Sequence, residues 1–138
     1  SNNGWDKKEH RQCLTDTNAT IKKEGIRVVI ITDPNIKMIE GAKETGADRI
    51  ELYTESFATG FAAGNKEVAI EPYITAANKA NELGLGINAG HDLDLQNLKY
   101  FAKHIPNLSE VSIGHALICD AIYLGLENAV QMYKRQLV

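Results

Sequence analysis

The chain has 138 residues, 43% hydrophobic and 24% charged, with a formal net charge of −3. That length and balance fit one ordinary domain with a real core, and the acidic charge implies no basic surface for nucleic acid or anionic lipid. No apolar run approaches a membrane span and no signal-peptide pattern opens the chain. Two cysteines, Cys13 and Cys119, both in segments that read as helix, make no disulfide framework and read as reduced thiols of a cytosolic protein.

Trp5 to Glu24 reads as a largely exposed helix closed by Gly25, with Lys22 and Lys23 in its last turn. Arg27 to Thr32 is a continuous β-branched run, suited to a parallel strand covered on both faces. Asp33-Pro34 follows, an N-cap candidate with Pro at the first helical position, and the helix runs to Lys43 or Glu44 with Gly46 as its stop. Arg49 to Thr54 is the second strand. Glu55 to Asn65, rich in Gly and Phe, reads as a loop, with Phe57 and Phe61 either in a mobile lid or packed on a neighbour. A helix from about Val68 or Pro72 to Leu83 places Pro72 in its first turn. Leu85 to Ala89 is the third strand, Leu95 to His104 a helix stopped at Pro106, and Val111 to Ile113 the fourth strand. One last helix spans about Ala116 to Arg135, with Leu117, Ala121, Leu124, Ala129 and Met132 on or near one face.

Strand then helix, repeated without a low-complexity linker, is α/β with a parallel sheet. Two architectures remain open, a doubly wound sheet and part of a (β/α)₈ barrel, and both gather chemistry at the carboxyl ends of strands. Polar residues cluster there: Thr32 and Asp33; Glu51, Tyr53 and Thr54; Asn88 and His91; Ser112 and His115.

Glu51 lies between Ile50 and Leu52, so period two sets the apolar pair on one face and Glu51 with Tyr53 on the other. A carboxylate in a barrel interior must be paired, hydrogen-bonded or protonated; a purely structural Glu paired with Lys or Arg is the alternative to a chemical role. His91 follows Gly90, which permits close approach of a ligand or another backbone, and precedes a helix capped by Asp92 or Asp94. The positive end of that helix disfavours imidazolium, so His91 suits acid–base work near neutrality; a loop histidine bonded to a nearby carbonyl is the structural alternative. Ser112-Ile113-Gly114-His115-Ala116 runs from strand end into helix, leaving backbone N–H groups free for an anion, unless this is an ordinary tight turn. His10 and Cys13 have helical spacing but make too small a ligand set for zinc. His104 closes a helix, where a cation suits the dipole.

The stretches "NAGHDLDLQNL", "EVSIGHALI", "GADRIELYTESFA" and "GLENAVQMYKR" together resemble the C-terminal half of the pyridoxine 5'-phosphate synthase family, over nearly the whole chain. The resemblance implies a (β/α)₈ barrel with extra helices, assembled as a cytoplasmic homo-octamer. It implies condensation of 1-deoxy-D-xylulose 5-phosphate with 3-amino-2-oxopropyl phosphate to pyridoxine 5'-phosphate, phosphate and water leaving, with no metal or organic cofactor. It makes His91 the proton donor, Glu51 a transition-state stabiliser, and Gly114 with His115 a phosphate site. Asp92 takes a position whose backbone meets the aminoketone phosphate. Two departures stand out: Asp92 where some members have Gly, and Tyr53 and Glu55 where others carry His and Gly.

A full barrel needs roughly 250 residues. The chain opens on Ser1 rather than Met, and the expectation is a C-terminal half of one barrel domain, strands five to eight. The other half would carry a further catalytic His, a catalytic Glu and phosphate-binding arginines. Alone, such a piece is expected to be inactive or nearly so and to expose raw sheet edges that pair with other copies. A phosphate-binding barrel of different chemistry and a non-catalytic assembly module are the competing readings.

Overall fold

In the computed structural model the chain is described from Lys7 to Val138, with side chains described from Gln12 onward. The predicted helix start at Trp5 and the imidazole of His10 lie outside the described residues. The elements are α1 (Lys7–Lys23), β1 (Val29–Thr32), α2 (Ile36–Glu44), β2 (Arg49–Leu52), α3 (Glu55–Ala62), α4 (Lys66–Glu82), β3 (Gly86–Gly90), α5 (Leu98–His104), β4 (Leu108–Ser112), α6 (His115–Leu124) and α7 (Leu126–Arg135). The strands form one parallel sheet in the order β1-β2-β3-β4. A sheet laid down in sequence order, without the reversal that defines a doubly wound fold, is compatible with part of a (β/α)₈ barrel.

Side-chain alternation divides the sheet into two faces. Ile30 and Thr32 of β1, Ile50 and Leu52 of β2, and Ile87 and Ala89 of β3 are buried on the side covered by helices. There Ile39, Phe57, Tyr73, Leu93, Leu98 and Phe101 complete the core. The opposite face carries Arg49, Glu51, Asn88, Glu110 and Ser112, in register across the strands. The Glu110 carboxylate accepts both Arg27 guanidinium nitrogens at 2.9 and 2.8 Å, Arg49 Nη1 at 3.1 Å and Asn88 Nδ2 at 3.2 Å. These bonds tie the segment before β1 to β4, the two edges of the sheet.

Several boundaries differ from those read in the sequence. Asn35, not Asp33, caps α2: its Oδ1 accepts the N–H groups of Lys37 at 2.9 Å and Met38 at 3.4 Å. A residue before proline is pushed out of the helical region, so Asp33-Pro34 turns the chain ahead of the cap. The expected loop at 55–65 is largely α3. Its Phe57 is fully buried, with ring centroids 4.9 Å from Phe101 and 6.0 Å from Tyr73. Gly60 lets α3 lie against α4, since a Cβ there would sit 2.6 Å from Ala69 Cβ. Glycine and phenylalanine thus serve close helix packing rather than a mobile lid. Pro72 is inside α4, not in its first turn. It stands on the exposed face with Val68, whose carbonyl loses its helical donor where water can replace it. The long final helix is two, because Gly125 adopts φ 81°, a conformation side chains rarely tolerate. After this break Ala129 and Tyr133 are buried, while Met132 and, at the end of α6, Leu124 stay exposed. Tyr133 donates to Asp120 at 2.7 Å, fastening α7 to α6.

α1 is anchored by polar contacts. Asn18 Nδ2 donates to the Thr45 carbonyl at 2.9 Å, and Lys22 Nζ reaches Asp48 at 2.7 Å. Asp48 also accepts the Val28 N–H at 2.8 Å. Lys22, with that N–H, holds Asp48 below its ordinary value of 3.8, and Arg27 above all holds Glu110 below 4.5. Depressed carboxylates contribute stability that is complete above their unfolded values and is lost as pH falls through the lower folded ones. Denaturant unfolding at a series of pH values is therefore expected to show stability falling below about pH 4. The Glu110→Gln variant should be weaker at neutral pH and fall less steeply in acid. Parallel curves for the two proteins would show that the Glu110 network carries none of this dependence.

Candidate active site

The carboxyl ends of β2, β3 and β4 meet around a cleft of about 620 Å³ lined by Glu51, His91, Asp92, Ser112, Ile113, Gly114 and His115. All five residues singled out by the sequence, Glu51, His91, Asp92, Gly114 and His115, are in this lining. The parallel register aligns Gly90 at the end of β3 with Ser112 at the end of β4. Contact there is close: a Cβ on residue 90 would lie 2.3 Å from the Ser112 carbonyl oxygen and 3.1 Å from Glu51 Oε1. The Glu51 carboxylate therefore lies over Gly90, and its Oε2 accepts Ser112 Oγ at 3.4 Å. The structural role weighed for Glu51, pairing with a cation, belongs instead to Glu110.

His91 departs from β3 with φ 59°, in the left-handed region, and donates its N–H to the Ser112 carbonyl at 3.2 Å. Its exposed imidazole meets the Tyr53 ring edge-on, centroids 5.9 Å apart. Tyr53 donates to Glu55 at 3.1 Å, and its hydroxyl is raised above its ordinary value, by desolvation first and then by the Glu55 carboxylate. Tyr73, pushed up by burial to about 12, stays a donor at working pH and holds the Tyr53 carbonyl at 2.9 Å.

The regular helix after His91 starts at Leu98, later than expected, but of the two expected caps Asp94 does cap the turn that leads into it, its carbonyl accepting the Leu98 N–H at 3.0 Å. Its Oδ1 accepts the N–H groups of Gln96 at 2.8 Å and Asn97 at 3.0 Å, while Asn97 Oδ1 accepts the Asp94 N–H at 2.9 Å. This reciprocal arrangement has the logic of a capping box. Asp92 has both backbone groups engaged: its N–H donates to Thr54 Oγ1 at 3.3 Å and its carbonyl accepts Asn97 Nδ2 at 3.1 Å.

At the third side of the cleft, α6 begins at His115 with Gly114 as N-cap, and the first bond of its opening turn runs from the Ile118 N–H to the Gly114 carbonyl. The amides ahead of Ile118 have no acceptor inside the helix and stand beside the exposed His115. No Lys or Arg is in the lining, so these amide dipoles, with the ring N–H groups of the two imidazoles, are the donors this cleft offers an anion.

Sequence reasoning missed Thr54 and Ser112 as partners in the site. The one-dimensional pattern marks Thr54 only as polar and does not show that it is fully buried, its hydroxyl bonded to the backbone of Gly90 and Asp92. Among the described residues no three or more His, Cys, Asp or Glu side chains are grouped to hold a metal, and no helix is long and apolar enough to cross a membrane.

A parallel βα array with an acid, an imidazole and a helix start at its strand tips is compatible with part of a (β/α)₈ barrel, the class in which strand tips carry the chemistry. The model of the family described as pyridoxal phosphate biosynthesis protein PdxJ matches residues 1–138, and the chain belongs to that family. Relatives include proteins named pyridoxine 5'-phosphate synthase from Cytophaga hutchinsonii, 61% identical over 137 residues, and Christiangramia forsetii, 58% identical over 137 residues. A third, from Flavobacterium johnsoniae, is 56% identical over 137 residues. Each alignment covers 99% of this chain and 57% of the relative, so the chain spans a little over half the length of these proteins.

The contact at Gly90 generates a direct test. In Gly90→Ala the added methyl meets backbone rather than a movable side chain, so stability is expected to fall by about 1–3 kcal/mol, read by denaturant unfolding. Unchanged stability would show that β3 and β4 do not close as described.

Proposed function

We propose that this chain forms part of a pyridoxine 5'-phosphate synthase, supplying strands five to eight of a (β/α)₈ barrel, and that the cleft at the strand tips is its active site. The observation that carries the reading is the convergence of Glu51, His91 and the α6 start on one cleft, in a member of the pyridoxal phosphate biosynthesis family. The substrates are 1-deoxy-D-xylulose 5-phosphate and 3-amino-2-oxopropyl phosphate. Both carry phosphate, and a helix start with free amides is suited to one such group; Gly114 and His115 hold it.

Imine formation, dehydration and ring closure require successive proton transfers. His91 acts as proton donor from a backbone position fixed by its bond to Ser112. Glu51, lying over Gly90, stabilises the cationic imine character that develops as the amine condenses with the ketone. Asp92 meets the aminoketone phosphate through its N–H, which is then shared between the ligand and Thr54 Oγ1. No residue of the cleft is assigned a metal or organic cofactor. The protein works as a cytoplasmic homo-oligomer, an octamer in the complete form. The apolar surface of α6, with Ile122 76% and Tyr123 88% exposed, supports its having a protein neighbour, whether from the same barrel or another copy.

The test is turnover of both substrates by full-length protein. His91→Asn keeps size and polarity but cannot deliver a proton, and kcat is expected to fall by about 10²- to 10⁴-fold with folding unchanged. Turnover equal to that of the unaltered enzyme would remove His91 as proton donor and favour a phosphate-binding barrel of other chemistry.

A further inference from the structure

We infer that Thr54 is a positioning residue for His91, acting through the loop that carries the imidazole; the inference rests on the proton-donor role proposed for His91. Thr54 is the residue before α3, where a threonine hydroxyl ordinarily accepts an N–H of the first helical turn. Here it makes no such capping bond. The side chain is fully buried and turned toward the neighbouring strand. Its hydroxyl donates to the Gly90 carbonyl and accepts the Asp92 N–H at 3.3 Å. One oxygen thus grips the backbone on both sides of His91, using the donor and acceptor capacity that a hydroxyl combines.

The grip matters because His91 occupies the left-handed region, at φ 59°, which costs free energy and persists only where surroundings over-determine it. Three constraints do so. Gly90 allows β3 to close on the Ser112 carbonyl, the His91 N–H bonds that carbonyl, and Thr54 fixes the peptides before and after. The third is a side-chain contribution from β2's end, so it can be removed without altering the chain around His91. The Tyr53 carbonyl, next to Thr54, is itself held by Tyr73, which anchors the clamp to the core.

The experiment compares Thr54→Val, Thr54→Ser and His91→Asn in full-length protein, with kcat and KM measured on both substrates and folding followed by thermal unfolding. Valine matches threonine in shape but has no hydroxyl. Thr54→Val is expected to lower kcat by roughly 10- to 100-fold, leaving KM within about threefold. Thr54→Ser should restore kcat to within about threefold. Combined with His91→Asn, Thr54→Val should lower the residual rate no further, because its effect passes through the imidazole. Thr54→Ala removes the same hydroxyl with less bulk and carries the same expectations should the valine variant not fold. If His91→Asn abolishes turnover while both hydroxyl-free variants keep wild-type kcat, the clamp is dispensable and the inference is wrong. A loss as large in the serine variant, or an undiminished effect in the His91→Asn background, would overturn it equally. Full turnover by His91→Asn would instead overturn the active-site reading and this inference with it.

Discussion

The absence of a side chain at residue 90 is the constraint on which the site depends. Gly90 sits against the Ser112 carbonyl at a distance no Cβ can share, and that approach lets β3 and β4 finish together. With the two strand ends in register, the His91 N–H finds the Ser112 carbonyl and the loop turns through the left-handed region toward the cleft. Glu51 lies across the same glycine from β2. Acid, imidazole and α6 start are neighbours because three consecutive strands are parallel and one residue between them takes no space.

The polar residues of the sheet's second face divide into two groups with different chemistry. On β4, Glu110 is saturated by Arg27, Arg49 and Asn88. A carboxylate so paired holds strands together and is held ionised; it has little left to give a ligand. On β2, in register with the same Asn88, Glu51 has one long bond from Ser112 and a place in the cleft wall. The same residue type thus serves as fastening on one strand and as an available group on another.

The parallel sheet and the gathering of polar groups at strand tips were legible in the sequence because they follow from the repeated apolar-run and amphipathic-segment pattern; strand order was not, since that pattern suits a doubly wound sheet and a barrel alike and only the pairing of β1-β2-β3-β4 separates them. That Glu51, His91, Gly114 and His115 share one cleft follows from the same rule, since each falls near or just past a strand end. What was not legible depends on contacts remote in sequence. Glycine and phenylalanine at 55–65 suggest a loop until Phe57 is seen in the core and Gly60 against Ala69. Pro72 suggests a helix start until the helix is seen to turn it toward water. Gly125 is one residue in a long amphipathic stretch, and only its φ shows that it divides two helices. Thr54 reads only as a polar residue at the end of a strand, whereas its hydroxyl is committed to a loop 36 residues further on.

The central claim is that one phosphorylated molecule bound at the α6 start comes within reach of both His91 and Glu51. A crystal structure of the full-length protein with 3-amino-2-oxopropyl phosphate measures this most directly. The claim requires the ligand phosphate on the amides of Gly114 and His115, with the remainder of the molecule extending toward the imidazole and the Glu51 carboxylate. A phosphate bound elsewhere, with the α6 amides left to water and His91 turned from the ligand, would contradict it.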